Sequence, residues 1–166
     1  MIPARFSLRA MTALFIVRED RVLLLWKPSG RVVRETWCPT AGGHIEPGEH
    51  TDPLACLLRE LREETGLGAD ALSGLSFRYV TLRYAKDEMR ENFYWFASLA
   101  DGADRGITSN EGRLEWFPCG RLKEISMPWT ARAVLDHWFR IGRFTELSYA
   151  GAAVPEGAVF TPLEQF

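Results

Sequence analysis

The sequence predicts an α/β fold, because segments with the patterns of β-strands alternate along the chain with two amphipathic helices. Residues 12–17 and 22–26 are apolar runs separated by Glu19-Asp20, which is the pattern of two strands joined by a tight turn. Residues 53–65 instead carry leucines at helical spacing. The chain has 166 residues, of which 46% are hydrophobic, so we expect residues 1–166 to form a single globular domain.

The remaining elements are predicted from the glycines, prolines and polar stretches that interrupt strands and helices. A polar loop, 27–35, precedes a short strand that opens into a constrained loop over 37–45, where Pro39 and the pair Gly42-Gly43 lie. The later predictions are strands at 75–85 and 92–99 around a tip at 86–88, a loop at 101–112, a strand at 114–117, and a helix at 130–139 between Pro128 and Gly142. The tail, 144–166, predicts a hairpin with Gly151, Pro155 and Gly157 in its turn.

Charge and composition narrow the classes of partner. The formal net charge is -2 and no long basic run occurs, which argues against binding duplex nucleic acid. A small anionic ligand remains compatible, because a bound metal reverses the local field. The sequence has no apolar stretch of the roughly 20 residues that would span a bilayer. The N-terminal residues lack the apolar core of a signal peptide, and the three cysteines have no metal-ligand spacing, so we expect a cytoplasmic protein, either monomer or homodimer.

The clearest predicted helix begins at Pro53. Asp52 is a favourable N-cap, Pro53 suits the first helical position, and Gly66 suits the residue after the last turn. One face is apolar, with residues at i, i+3, i+4 and i+7: Leu54, Leu57, Leu58 and Leu61.

A second face of this helix carries three glutamates. Glu60, Glu63 and Glu64 share an arc roughly 100° wide, which lies roughly 120° from the centre of the leucines. Like charges at this spacing repel, and Arg59 compensates only Glu63 through an i, i+4 pair. A hard divalent cation would relieve the repulsion, since carboxylate oxygens are ligands that Mg²⁺ and Mn²⁺ prefer. Taken alone, however, the three glutamates fit a solvent-exposed acidic face better than a metal site.

The residues before the helix favour the metal site. Gly42-Gly43 lets the backbone approach a ligand closely or offer it a carbonyl oxygen. Pro47-Gly48 predicts a turn that folds the loop back over the helix, and the opposite charges of Glu49 and Arg59 would pin the loop there.

Residues 42–67, GGHIEPGEHTDPLACLLRELREETGL, resemble the signature of the Nudix hydrolases. That signature has a glycine, a glutamate six residues later, and then Arg-Glu-aliphatic-x-Glu-Glu-x-Gly-aliphatic. Nine positions match it: Gly43, Glu49, Arg59, Glu60, Leu61, Glu63, Glu64, Gly66 and Leu67. Nine residues separate Glu49 from Arg59, where the family pattern has seven, and the position of Pro53 relative to Arg59 places the two extra residues at His50-Thr51. The helix therefore keeps its register, whereas the contact between Glu49 and Arg59 is left open.

The resemblance implies an α/β/α sandwich with a mixed central β-sheet. It also implies that Glu60, Glu63 and Glu64 bind Mg²⁺, or Mn²⁺ in its place, together with the backbone carbonyl of Gly42. Arg59 would orient these carboxylates, and either Glu63 or Glu64 would serve as general base. Nudix enzymes often add a glutamate from a later loop. Glu111 is the candidate here and Glu115 its rival.

The substrate is less well defined by the sequence. The resemblance implies hydrolysis of a diphosphate linkage in a small nucleotide, and the leading expectation is a nucleoside triphosphate, including oxidised forms, cleaved to monophosphate and pyrophosphate. We expect Gly43 and His44 near the phosphates. A base would stack on an aromatic ring, for which Trp129 is one of five candidates, with Trp26, Trp37, Tyr84 and Trp95. ADP-ribose, a dinucleoside polyphosphate, the 5′ end of RNA, and a non-catalytic nucleotide sensor are the alternatives.

Overall fold

A mixed β-sheet forms the centre of the molecule. The computed structural model describes residues 7–28 and 36–164. The strands are β1 (Ser7–Arg18), β2 (Arg21–Lys27), β3 (Thr36–Cys38), β4 (Leu72–Ala85), β5 (Glu88–Leu99), β6 (Arg113–Pro118), β7 (Ser148–Val154) and β8 (Gly157–Leu163). Their order is β3-β2-β1-β5-β4-β7-β8, and β6 pairs with β2. Since β1–β5 and β4–β7 are parallel and the other pairs antiparallel, the sheet is mixed as predicted.

Two helices cover opposite faces of the sheet. Alternate side chains of a strand point to opposite faces, so Leu14 and Phe15 of β1 enter different cores. The core with Leu14 contains Leu57 and Leu61 of helix α1 (Pro53–Thr65). The core with Phe15 contains Val134, Leu135 and Trp138 of helix α2 (Trp129–Arg140). This three-layer arrangement confirms the α/β/α sandwich.

Helix α1 begins and ends where its sequence predicts. Asp52 accepts a hydrogen bond from the Ala55 N–H at 3.0 Å, which caps the first turn. Gly66 takes a left-handed conformation, φ 76°, and its N–H donates to the carbonyl of Arg62. Leu57 and Leu61 are fully buried, which contributes roughly 1.5–3 kcal/mol each relative to exposure. These contacts fix the rotation of the helix, and therefore which way its glutamates face.

The segment that follows β3 lies beside β1. Strands β1 and β2 pair only over residues 16–18 and 21–23. Farther toward the N-terminal end of β1, Leu14 pairs with Ala41 and Met11 with His44. The Gly42-Gly43 pair is therefore inserted next to β1, at the edge of an open cleft.

Several predicted boundaries were wrong. The tip between β4 and β5 is only Lys86 and Asp87, whose φ angles of 53° and 62° suit a two-residue hairpin turn, so Glu88 belongs to β5. Gly151 lies within β7 and not in the tail turn, where it pairs with Thr81 of β4 and Phe160 of β8, and the ring of Phe160 packs against it. A Cβ at Gly151 would lie 2.7 Å from that ring.

The short strand predicted at 37–45 covers only Thr36–Cys38, and a 3₁₀ helix at Cys119–Glu124 was not predicted. Residues 29–35 of the predicted loop, residues 1–6, and residues 165–166 of the tail lie outside the described residues. In the described ranges, no helix is long and apolar enough to cross a membrane.

Candidate active site

The glycine pair allows helix α1 to approach the backbone beside β1. The Gly42 N–H donates to Oε2 of Glu64 at 3.1 Å, and its φ of 147° disfavours any side chain. A Cβ at Gly42 would lie 2.2 Å from the Thr12 carbonyl oxygen. A Cβ at Gly43 would lie 2.3 Å from Oε1 of Glu60. Glycine at both positions is thus what brings two helix glutamates against this loop.

Arg59 joins the loop to the glutamates of the helix. Its Nε and Nη2 atoms donate to the two oxygens of Glu49 at 2.8 and 3.0 Å, so the pair forms despite the two extra residues. Those residues are absorbed by a turn, in which the Asp52 N–H donates to the Glu49 carbonyl at 2.9 Å. Hydrogen bonds from Arg59 and from the Glu46 N–H lower the pKa of Glu49 to about 2. Arg59 Nη1 also contacts Glu60 at 2.9 Å and Glu63 at 3.2 Å.

Glu64 is the buried member of the glutamate set. Its side chain is only 4% exposed, and its Oε1 lies 3.4 Å from the ammonium of Lys27, which also contacts Glu111. Burial raises the pKa of Glu64 to about 7, although Lys27 and the Gly42 N–H act in the opposite direction. The hydrogen bond from Lys27 lowers the pKa of Glu111. Lys27 therefore links the two carboxylates at the end of the cleft.

Asn110 attaches the Glu111 loop to the C-terminal turn of α1. Its backbone N–H donates to the Glu64 carbonyl at 2.9 Å, and its side-chain amide donates to the Glu63 carbonyl at 2.8 Å. These bonds satisfy carbonyls that the helix end leaves without partners. The attachment places Glu111 beside Glu64. The rival Glu115 instead pairs with Arg113, at 3.6 Å.

The carboxylate ends do not converge as the sequence suggested. Among residues 7–28 and 36–164, no three His, Cys, Asp or Glu side chains are close enough together to hold a metal ion. The physical reason is that two cationic side chains divide the acids between them: Glu60 and Glu63 contact Arg59, whereas Glu64 and Glu111 contact Lys27. The donor chemistry nevertheless fits Mg²⁺ or Mn²⁺, because Glu60 and Glu64 both lie against the Gly42-Gly43 backbone, and carboxylate and carbonyl oxygens are the ligands that these ions prefer.

A cleft of about 480 Å³ extends from this site along the α2 face of the sheet. Lys27, Gly42 and Glu64 line one end, and Asn92 and Tyr94 of β5 lie along it. The other end is lined by Trp129 and three arginines, Arg9, Arg83 and Arg90. Trp129 is 39% exposed, and the guanidinium carbon of Arg83 lies 5.6 Å from its ring centre. The cleft thus holds Glu64 and Lys27 at one end and arginine and aromatic side chains at the other.

The other predicted base-stacking rings do not line the cleft. Trp95 is buried in the core beneath α1, and Trp37 packs edge-on against Phe117 with ring centres 4.5 Å apart. Trp26 lies under Arg113, and the Tyr84 hydroxyl donates to Asp87 at the hairpin tip. Trp129 is therefore the one ring of the five that reaches the cleft.

His44 lies at the rim of the site and is exposed. Its Nε2 accepts a hydrogen bond from Nε of Arg9 at 2.6 Å, and its carbonyl accepts one from Arg59 at 3.3 Å. Partial burial and the charge of Arg9 lower the pKa of His44. The residue thus stands between the glutamate end and the arginine end of the cleft.

Sequence reasoning missed Lys27, Asn110 and the three arginines. A signal for part of this set was available, because a two-residue turn at Lys86-Asp87 requires Arg83 and Arg90 to face each other across the hairpin. Lys27, Asn110 and Arg9 had no comparable signal, since their neighbours are distant in sequence.

The family model of the NUDIX domain matches residues 7–139. The chain belongs to the Nudix family. It is a Nudix pyrophosphohydrolase, an enzyme that acts on phosphoric anhydride bonds. No match was found among curated proteins.

Solved structures share the fold across most of the chain. The mutator MutT protein from Bacillus halodurans is 23% identical, with 94% of this chain and 95% of that chain covered and a TM-score of 0.60. A MutT structure from work on Aliivibrio salmonicida and Vibrio cholerae is 18% identical, covering 81% and 98%, with a TM-score of 0.62. The Ap4A hydrolase from C. elegans is 20% identical, covering 82% and 99%, with a TM-score of 0.61.

Proposed function

We propose that this Nudix enzyme hydrolyses a nucleoside diphosphate-linked substrate with the help of Mg²⁺, and that nucleoside triphosphates, including oxidised ones, are cleaved to monophosphate and pyrophosphate. The observation that carries the proposal is the position of Glu64. This buried carboxylate lies at the end of the cleft, against the Gly42 N–H and beside the Lys27–Glu111 pair. An anhydride placed in the cleft would meet the Glu64 carboxylate, the Lys27 ammonium and the backbone of Gly42 at the same end.

The residues proposed to hold the metal are Glu60, Glu63, Glu64, Glu111 and the carbonyl of Gly42. When bound, Mg²⁺ neutralises phosphate oxygens and lowers the pKa of a coordinated water. Reorientation of the glutamates away from Arg59 and Lys27 would free their oxygens for this role. The Lys27 ammonium, which lines the cleft, would then be available to the phosphates, since ammonium groups bind phosphate oxygens well.

The remaining steps belong to side chains of this protein. Glu63 or Glu64 accepts a proton from the attacking water, whose oxygen bonds to phosphorus as the anhydride P–O bond breaks. Arg59 positions the glutamates and is not itself in contact with the reacting atoms. Glu49 in turn positions Arg59, because its two carboxylate oxygens accept hydrogen bonds from Nε and Nη2 of the guanidinium. Gly43 leaves room for Glu60, and Trp129 offers a ring on which a base can stack.

The test is product analysis with Mg²⁺ on a panel of nucleoside triphosphates, oxidised dGTP, ADP-ribose and dinucleoside polyphosphates. Monophosphate with pyrophosphate is the expected outcome; AMP with ribose phosphate would replace the triphosphate assignment with ADP-ribose. No turnover of any compound would contradict the catalytic proposal and favour a nucleotide sensor.

Variants test the residue assignment. Glu63→Gln, Glu64→Gln and Glu111→Gln are each expected to lower kcat by about 100-fold or more while the circular dichroism spectrum is retained. Glu115→Gln is the matched control, because Glu115 lies on the same segment but pairs with Arg113 away from the cleft, and its kcat should stay unchanged. Equal losses in the Glu111 and Glu115 variants would remove Glu111 from the proposed site.

A further inference from the structure

Three arginines stand side by side across three strands at the far end of the cleft. Arg9 of β1 is in register with Arg90 of β5, and Arg90 is in register with Arg83 of β4. Neighbouring strands lie about 4.8 Å apart, and residues in register share a face of the sheet. All three side chains line the cleft. We call Arg9, Arg90 and Arg83 the arginine row.

The arginine row carries more positive charge than its neighbours balance. Glu88 binds Arg90 at 2.7 Å, whereas Arg9 donates to the ring of His44 and Arg83 lies over Trp129. Within the described part of the chain, neither Arg9 nor Arg83 has a carboxylate partner within ion-pair distance. Like charges directly opposite each other on neighbouring strands destabilise a sheet. A bound anion would offset this repulsion.

The distance from the arginine row to the glutamate end of the cleft is comparable to the length of a nucleoside. The Gly43 carbonyl accepts from the Thr12 N–H at 2.9 Å, which fixes the glutamate end of the cleft beside Thr12. Arg9 is three residues earlier on the same strand, and at about 3.3 Å per residue this is a separation of roughly 10 Å. A nucleoside whose diphosphate meets the glutamates therefore brings its opposite side to the row.

We propose that the arginine row is a second anion subsite, which binds a phosphate carried by the ribose of the substrate. The inference rests on the proposed function, and it narrows the substrate class to nucleoside diphosphate-linked compounds with an additional 2′- or 3′-phosphate. Guanidinium groups present paired N–H donors that match phosphate oxygens, and the guanidinium of Arg83 lies over the Trp129 ring, with its carbon 5.6 Å from the ring centre. A nucleobase alone would not require three cations, because neutral hydrogen-bond donors could bind its edge without the repulsion between neighbouring arginines.

Binding of matched ligands tests the subsite without catalysis. Isothermal titration calorimetry in EDTA would compare AMP with adenosine 3′,5′-bisphosphate and with adenosine 2′,5′-bisphosphate, and GMP with the guanosine 3′,5′-bisphosphate. One bisphosphate is expected to bind at least about tenfold more tightly than its monophosphate, a gain that rising ionic strength reduces. Equal affinities for every pair would overturn the proposal.

Variants test whether the arginine row itself, and not the overall positive charge of the protein, binds the additional phosphate. Arg83→Gln and Arg90→Gln should each lower bisphosphate affinity by about tenfold and leave monophosphate affinity within about twofold. Arg83→Lys should retain part of the preference, because it keeps the charge but loses the paired donors. Arg121→Gln is the matched control, since Arg121 is exposed and pairs with Glu124 outside the cleft. Equal losses for both ligand types would mean that the row reads the base or the 5′-phosphate, and would also overturn the proposal.

Activity separates this inference from the proposed function. ADP-ribose 2′-phosphate against ADP-ribose, and a 3′-phosphorylated nucleoside triphosphate against its parent, should show a lower KM for the phosphorylated member. Anhydride hydrolysis without any such preference would leave the enzyme assignment standing and remove the subsite. A preference for the bisphosphate in binding, with no turnover of any compound, would support the subsite and contradict the catalytic proposal.

Discussion

Replacing the buried Glu64 with glutamine should remove a cost in stability that the metal-free protein bears as pH rises, although the same change lowers kcat by about 100-fold or more. The Glu64 side chain is 4% exposed, and burial raises its pKa from 4.5 to about 7. Ionising Glu64 therefore costs about 3 kcal/mol more in the folded protein than in the unfolded chain. Glutamine keeps the oxygen that accepts from the Gly42 N–H but cannot ionise.

The sign of the pH dependence follows from proton binding. The folded state binds the Glu64 proton more tightly than the unfolded state does, so the wild-type protein loses stability as pH rises from about 4.5 through about 7. The free energy of unfolding of Glu64→Gln relative to wild type should thus increase by roughly 2–3 kcal/mol between about pH 5 and about pH 8. For a chain of this size that is a relative shift in Tm of roughly 5–10 °C.

The assay is thermal and urea unfolding in EDTA at both pH values. Glu63→Gln is the matched control, because Glu63 lies one residue away on the same helix but its side chain is 59% exposed, so it lacks the burial to which the Glu64 effect is attributed. Adding Mg²⁺ should stabilise the wild-type protein more than the Glu64 variant, since ligand binding to the folded state raises stability. A Glu64→Gln variant that is equally destabilised at both pH values would mean that the folded protein does not hold the Glu64 proton more tightly than the unfolded chain does.

Three further predictions concern the residues around the helix. Glu49→Gln should lower stability at neutral pH, because the depressed pKa of Glu49 means that its ionised form stabilises the folded protein. The difference in stability from wild type should vanish as pH falls from about 4.5 toward about 2. Measuring Tm across this acid range checks the prediction, and a difference that persists at the lowest pH would contradict it. Gly43→Ala should reduce kcat by at least about tenfold, since its Cβ would occupy the position of the Glu60 carboxylate, whereas Gly120→Ala, where a Cβ meets no atom within 4 Å, should change kcat less than about twofold. Asn110→Ala should cost about 1 kcal/mol through one lost hydrogen bond to the helix end and should also lower kcat, because the Glu111 loop loses its attachment; unchanged turnover would separate the loop from the reaction.

Features that depend on near neighbours in the chain were predictable from the sequence alone. Helix α1, its cap at Asp52 and its end at Gly66 follow from local backbone preferences, and the 3.6-residue period put the leucines and the glutamates on separate faces. The strands were found from alternation and turn residues, although their ends were placed several residues short, because pairing with neighbouring strands extends β4 and β5 beyond their apolar centres.

Which groups share the site depends on packing and strand register, so it is seen only in the folded protein. Whether Glu49 reaches Arg59 depended on how a turn absorbs two residues, and the division of the carboxylates between Arg59 and Lys27 depended on strands that meet far from each other in sequence. The arginine row exists only because the register of β1, β5 and β4 aligns Arg9, Arg90 and Arg83. Electrostatic interactions act through space, so charges separated along the chain become neighbours only once packing and strand register are fixed.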